Sequence, residues 1–490
     1  MNFLQKILCY TNVKIKRLLE NMKIDSIDIE KTLSDAKKVI EAGELPSSVK
    51  AVFQVLILLV TILINRLKLN SSNSSKPPST DPNRKKKQRN AKGKKQGGQN
   101  GHKGYRLEKI KNPDIVKVLK VDKKAIPSGK YKEVGFETRQ VVDIEIKKIV
   151  TEYRAQILEN DKGGRYVASF PQGVTSDIQY GNGIKAHAVY MSQFQLLPYN
   201  RIQDYFADQM NIPISAGSIF NFNKEAYDLL KIFDEIAKKK LIQSPVVNVD
   251  ETGINIDGKR RWLHSASSPS WTYFYPHKKR GSEAMDAIGI ISNFSGILCH
   301  DHWKSYYNYK CLHALCNAHH IRELERAIEQ DDQKWAMEMK DFLIATNQEM
   351  INSENILSEA AIKIARKKYR DIIIKAEIEC PSPPKIEGKR GRTKRSKSRN
   401  LLERFINYED DVLRFMENKN VPFTNNLGEN DLRMTKVQQK ISGCFRSFDG
   451  AYIFCRSRSY LSTCRKHGVK ITVALKTLFE GKLPDFVNDS

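Results

Sequence analysis

Apolar and polar positions follow several distinct rhythms along this chain. Over residues 25–43, Ile29, Leu33, Ala36 and Ile40 recur at helical spacing, and Gly43 can end that helix. Ser48 can cap a second helix through Leu69, in which Val52, Leu56, Leu59 and Leu63 fall at the 4-3-4 spacing of a coiled-coil seam. The seam is short and its other faces are apolar too, so pairing between chains and burial within one domain both stay open. Residues 105–175 have the rhythm of short strands and turns, at 115–121, 137–146, 148–157 and 166–168. Residues 184–235 return to helical spacing. Within them 201–209, a turn at 211–214, and 215–224 have helix-turn-helix proportions, a pattern shared by many helix pairs.

From 244 the pattern becomes α/β. A Val-rich strand, 246–249, leads into Asp250 and Glu251, and Gly253 then lets the backbone turn. Strands follow at 261–266 and 271–275, a helix at 282–294, a fourth strand at 296–299 ending before Asp301, a fifth at 312–316 and a helix at 318–329. Residues 334–378 and 401–418 are helical. Asn425 and Asn426, good N-caps, precede 427–436, so Glu429 falls in a first helical turn with Arg433 one turn on.

Charge changes this picture. The formal net charge is +27, a surplus that points to a polyanion, most often nucleic acid. It is clustered: after the polar stretch 70–81, which cannot build a core, come Arg84, Lys85, Lys86, Lys87, Arg89, Lys92, Lys94 and Lys95 among glycines. Such a linker tracks phosphates without reading bases. Near the C-terminus Arg446, Arg456, Arg458, Arg465 and Lys466 form a second basic group, read as phosphate contacts or as a solvated face. The most apolar run, 55–64, falls short of the ~20 residues a membrane span needs. The eight cysteines are scattered and the N-terminus lacks a small-residue cleavage site. The expectation is a soluble, cytoplasmic protein that does not engage a membrane.

Asp250 and Asp301 each follow an apolar strand, and Glu429 opens a helix. Hard carboxylate oxygens suit Mg²⁺. Spacing alone is weak support, because any chain of this size offers many such trios. His302 and His319, beside strand ends, are candidates for orienting a carboxylate or phosphate. Cys299 and Cys316 occupy apolar strand positions, where a free cysteine is more often a small core residue, so structural zinc is not expected.

The stretches NSSNSSKPPSTD, GGQNGHKG, VNVDETG, GILCHDHWKSY, CNAHHIRELE, NNLGENDLR and YLSTCRKHG occur in this order. Together they resemble transposases of the insertion-sequence-66 family, over most of residues 50–480. The resemblance implies a multidomain α/β plus α protein whose ribonuclease H-like mixed sheet carries an Asp-Asp-Glu metal triad. Matched residue by residue, the triad is Asp250, Asp301 and Glu429; by their own positions, and not by the resemblance, Arg433, His302 and His319 are candidates to support it. The resemblance implies a two-metal Mg²⁺ site, Mn²⁺ serving as a substitute, that cleaves double-stranded DNA at terminal inverted repeats and joins it to target DNA. A homo-oligomer on DNA and accessory proteins encoded by the element are the partners it suggests. The expected layout is a helical region (1–69), basic linker (70–104), small β-rich region (105–175), helix-turn-helix-like region (176–240), first part of the core (241–333), helical insertion (334–418) and second part of the core (419–490). The family often has a cysteine-rich zinc segment after the GGQ stretch. Here no cysteine lies between Cys9 and Cys299, so 105–175 cannot build one. Three alternatives remain: a DNA-binding protein without catalysis, a ribonuclease H-like nuclease that does not join, and a decayed copy of a mobile element.

Overall fold

The computed structural model describes residues 46–67, 69–74, 81, 107–354, 356–384 and 393–488, with scattered positions between 23 and 42. Most of the helix expected over 25–43, and all eight linker cations from Arg84 to Lys95, lie outside the described residues.

Helix α1 (Ser47–Leu67) is longer than the 55–64 run suggested. Ser47–Ile64 is a helical window of mean hydropathy 2.2, long and apolar enough by length and composition to cross a membrane. This corrects the expectation that the run is too short. Thr61 does not interrupt it, because its hydroxyl donates to the Ile57 carbonyl at 2.7 Å. The seam residues Val52, Leu56, Leu59 and Leu63 are exposed, and so are Phe53, Val55, Leu58 and Ile62.

The strands expected at 115–121 and 137–146 are not formed, and of that expected at 148–157 only Ile157 is in a strand; the rest is extended chain. Val141, Ile144, Ile149 and Val150 are all exposed, so the alternation has no face to bury against. The ladder that does form here pairs β1 (Ile157–Glu159) with β2 (Arg165–Val167).

The chain divides into two compact units. One comprises the described residues of 87–296, 308–310 and 426–490. Its first part is helical: α2 (Asn182–Val189), a π-helical turn (Tyr190–Phe194), α3 (Tyr199–Met210), α4 (Ala216–Leu229) and α5 (Lys231–Ile242). The α3–α4 pair has the expected proportions. Asn211, at φ 50°, ends α3, and the Ser215 hydroxyl caps α4 by accepting the Ser218 amide at 2.9 Å. Next come β3 (Val246–Ile256), β4 (Lys259–Ser267) and β5 (Thr272–His277), an antiparallel meander, then α6 (Ser282–Ile288). The β3–β4 turn is Asp257-Gly258, both with positive φ, the chemistry a two-residue hairpin requires. Gly253 therefore makes no turn, and β3 runs straight through it.

The other unit comprises the described residues of 1–86, 297–307 and 311–425. Strands β6 (Ile297–His300) and β7 (Leu312–Leu315) pair in parallel. Around them and beyond lie α7 (Asn317–Asp331), α8 (Lys334–Asn352), α9 (Glu359–Glu379), α10 (Lys397–Asn407) and α11 (Glu409–Glu417). Trp335, Tyr369 and Phe405 centre this helical core. All are buried, and the Tyr369 hydroxyl donates to the Phe405 carbonyl at 2.8 Å.

The chain then returns to the first unit with α12 (Asn426–Ser442), α13 (Phe448–Lys466) and α14 (Ile471–Phe479). α12 packs on β3 and β4, and α13 on β5. Ile254, Ile256, Leu263, Phe274, Leu432, Phe445 and Phe454 share one apolar cluster between strands and helices. The protein is thus mixed α/β, with parallel and antiparallel strand pairs and many helices.

Phe405 packs against His320, Trp335 and Tyr369 with no exposure. Phe405→Ala is expected to cost about 3–5 kcal/mol, read as a lower denaturation midpoint for the helical unit. A loss below about 1 kcal/mol would mean that this core is not as packed as described.

Candidate functional site

Asp250 is the fifth residue of an eleven-residue strand, not a strand tip. It pairs with Ser265 across β3–β4, and its carbonyl accepts the Ser265 hydroxyl at 3.1 Å. Its carboxylate accepts the Glu251 amide at 2.9 Å. Glu251 points to the other face, as alternation requires. It is buried and meets Arg280 through Nε at 2.8 Å and Nη2 at 2.5 Å. That acid is committed to a buried ion pair.

Glu429 lies in the first turn of α12, as its capping sequence predicts. The helix is tied down at both ends. Asp431 accepts the Ser267 hydroxyl at 2.6 Å, the Thr272 hydroxyl at 3.0 Å and the Lys466 ammonium at 3.2 Å. Just past its C-terminus, Phe445 donates to the Asn255 carbonyl and accepts from the Asp257 amide, both at 2.9 Å. Midway, Lys436 donates to the Gly253 carbonyl at 2.9 Å. Because Ser267 pairs with Asn248, α12 runs in the same direction as β3. The turn bearing Glu429 therefore lies toward the Asn248–Asp250 end of the strand. Partial burial and the neighbouring Arg260 push the Lys436 ammonium's pKa down, while Asp250 pulls it up. Arg433 is exposed on the same helix.

Asp301 is the first residue after β6, as expected, and its carboxylate accepts the Trp303 amide at 3.1 Å. The histidines around it build the loop. His300 is buried; its Nδ1 accepts the His302 amide at 3.2 Å, so its proton is on Nε2, which reaches His313 Nδ1 at 3.0 Å. Burial, with His313 and His302 beside it, holds the His300 pKa well below its ordinary value. His302 sits at φ 68°, its ring edge-on to Tyr408 at 4.7 Å, and burial lowers its pKa to about 4. His319 occupies the first turn of α7. Cys299 is a buried strand residue, and Cys316 Sγ accepts the Asn425 amide at 3.1 Å, so both thiols have structural places.

Three residues of the C-terminal basic group are corrected here as phosphate contacts. Arg456 Nε pairs with Asp234 at 2.6 Å, and its Nη1 donates to the Tyr227 carbonyl at 3.0 Å. Arg458 is buried and faces the Gln193 and Phe194 carbonyls at 3.4 Å. Lys466 donates to the Ser268 and Trp271 carbonyls at 2.8 and 3.1 Å, besides Asp431. α13 is buried nearly all round, so Arg456, Arg458 and Lys466 turn inward and are held there. Arg446 and Arg465 are exposed. A different basic surface, at the far end of the β4–β5 strands, was missed. Its signal was present as KRRW at 259–262 and HKKR at 277–280.

The sequence model of a family described as Transposase IS66 family matches residues 177–453. A second model, a family of unknown function (DUF6444), matches residues 28–108. No curated protein matches the chain.

Asp431→Ala strips Lys466 of its carboxylate in a largely buried place. Breaking one side of such a pair costs about 3–5 kcal/mol, expected as a lower melting temperature. An unchanged melting temperature would show that α12 is held by other means. Burial also depresses His264 to about 4, more than its bond to the Lys279 carbonyl raises it. The unfolded chain takes up that proton near pH 6.5, the folded one only near 4, so stability is full above 6.5 and falls as pH drops toward 4. His264→Gln should flatten part of that acid slope in pH-dependent denaturation; an identical slope would contradict it.

Proposed function

Because the chain belongs to the IS66 family of transposases, we propose that it cuts DNA at the ends of an insertion sequence and joins those ends to target DNA, with Asp250, Asp301 and Glu429 as ligands of a divalent metal site. The observation that carries this reading is the docking of α12 along β3, which brings the turn bearing Glu429 alongside the strand bearing Asp250 within one compact unit. Further support comes from what the neighbouring acids do. Glu251 and Asp431 are taken up in internal pairs. The order of a three-strand meander, a helix, then β6 with Asp301 after it agrees with a ribonuclease H-like core, which the proposal includes.

The donor set fits the metal. Three carboxylates offer hard oxygens, which suit Mg²⁺, with Mn²⁺ as a substitute. When bound, such ions lower the pKa of an attacking water and stabilise charge on the phosphodiester oxygens. The chain's part is to hold the ligands in place. The Glu251 amide orients the Asp250 carboxylate, and the Trp303 amide orients that of Asp301. His300, a neutral Nε2–H imidazole, pins the loop that follows Asp301 through the His302 amide. The nucleophile is water in the first step and a DNA 3′-hydroxyl in the second, each attacking in line without a covalent enzyme intermediate. The +27 charge supplies attraction for both DNA molecules, which a homo-oligomer of the chain would hold.

Asp250→Asn, Asp301→Asn and Glu429→Gln are each expected to keep DNA binding in a gel shift. Each should lose cleavage with Mg²⁺ by more than the ~10–100-fold that removal of an outer-sphere partner costs. Cleavage within tenfold of the parent in any one of them would remove that residue from the site. Binding with no cleavage by the parent protein would instead favour a DNA-binding protein without catalysis. Cleavage without joined products would favour a nuclease.

A further inference from the structure

The β3–β4 hairpin turns at Asp257-Gly258, and the first residues of β4 are Lys259, Arg260, Arg261 and Trp262. Across β4–β5, Trp262 pairs with His277, after which come Lys278, Lys279 and Arg280. α12 adds Lys436 over Gly253. The acids on these segments are Asp250, Glu251 and Asp257, and Asp449 opens α13 nearby. Cations therefore outnumber acids on this end of the meander, and Glu251 is already taken up by Arg280. Like charges so crowded repel one another unless a polyanion lies over them.

Most of these cations are positioned by aromatic rings. The guanidinium carbons of Arg260 and Arg280 lie 4.8 and 4.9 Å from the Trp262 ring centre. Arg261 and Lys278 each lie 6.0 Å from the ring centre of Phe448. A ring face attracts a cation and fixes its plane, yet leaves its charge uncancelled. Guanidinium groups held this way keep donors for a phosphate, in the fork geometry that favours it. Gly253 leaves room beside Arg260. It pairs with Trp262, and a Cβ there would stand 3.2 Å from Arg260 Nε. This, and not a turn, is what the glycine is for.

We propose that this end of the meander is a clamp for the phosphodiester backbone of DNA, in which Arg260, Lys278 and Lys279 contact phosphates and Trp262 is a positioning residue. Trp262 already carries guanidinium groups on its ring, so it is not a platform for stacked bases, and the contact is independent of sequence. The inference rests on the reading above that the protein acts on DNA.

The test is binding of a short labelled duplex to the full chain without divalent metal, by fluorescence anisotropy, between about 50 and 200 mM salt. The variant Arg260→Ala/Lys278→Ala/Lys279→Ala leaves the Glu251–Arg280 pair intact. It is expected to shallow the slope of log affinity against log salt by about 0.9 per lost phosphate contact, roughly 2–3 in all, equally for duplexes of unrelated sequence. Trp262→Leu keeps every charge and is expected to weaken binding several-fold; no change would contradict its positioning role. An unchanged slope in the triple variant, with unchanged melting temperature, would overturn the clamp. So would loss of binding to anionic vesicles with the DNA slope intact. Because metal is absent, an inert enzyme whose slope still changes keeps the clamp and loses only the catalytic reading. Normal cleavage with an unchanged slope does the reverse.

Discussion

The fastening of α12 along β3 is the constraint on which this part of the molecule depends. A helix laid on a strand can slide or tilt unless polar anchors fix it, because apolar packing alone is non-directional. Here the anchors sit at both ends: three donors converge on Asp431, and a one-residue bridge joins Phe445 to Ile256. Leu432, Ile254, Ile256 and Leu263 fill the space between. A rigid strand and a pinned helix are the supports that a set of carboxylates needs if its geometry is to survive the binding of a charged ligand. Lys466 links this fastening to α13, so it works inside the fold, as Arg456 and Arg458 do.

The loop after β6 is built on a different principle. Neutral imidazoles fix it. His300 can accept the His302 amide through Nδ1 only while that nitrogen is unprotonated, which burial ensures. The edge-on and tilted rings of His302, Tyr307 and Tyr408 close over the same turn. The positive φ of His302 is a backbone strain that this packing sustains. His302, read in sequence as a candidate for orienting a carboxylate or phosphate, helps with His300 and His313 to shape the turn that follows Asp301.

Much of this was legible beforehand. The strand order from 246 to 315, the helix opening before Glu429 and the turn at 211 all follow from periodicity and capping residues, which are local signals. What was not legible depends on partners distant in sequence. Gly253 read as a turn because glycine usually permits one; its true neighbour, Arg260, is known only once β3 and β4 pair. Arg456, Arg458 and Lys466 read as a solvated or phosphate-binding face because their helix is rich in serine and arginine, yet α13 is enclosed and those polar groups face carbonyls and Asp234. Alternation over 137–150 read as strands, but without a surface to cover it stays extended. The apolar length of α1 was underestimated because Gln54 and Asn65 bound the 55–64 run, whereas Gln54 rides within the longer window Ser47–Ile64.

The central claim is that the first turn of α12 and the middle of β3 hold one and the same metal. Replacing Mg²⁺ by Fe²⁺ and adding ascorbate and peroxide generates hydroxyl radicals at the metal, which cut the nearest backbone. The account predicts fragments ending near residues 250, 301 and 429, suppressed by excess Mg²⁺ and absent in Asp250→Asn. Cutting near 250 or 301 without any near 429 would contradict it.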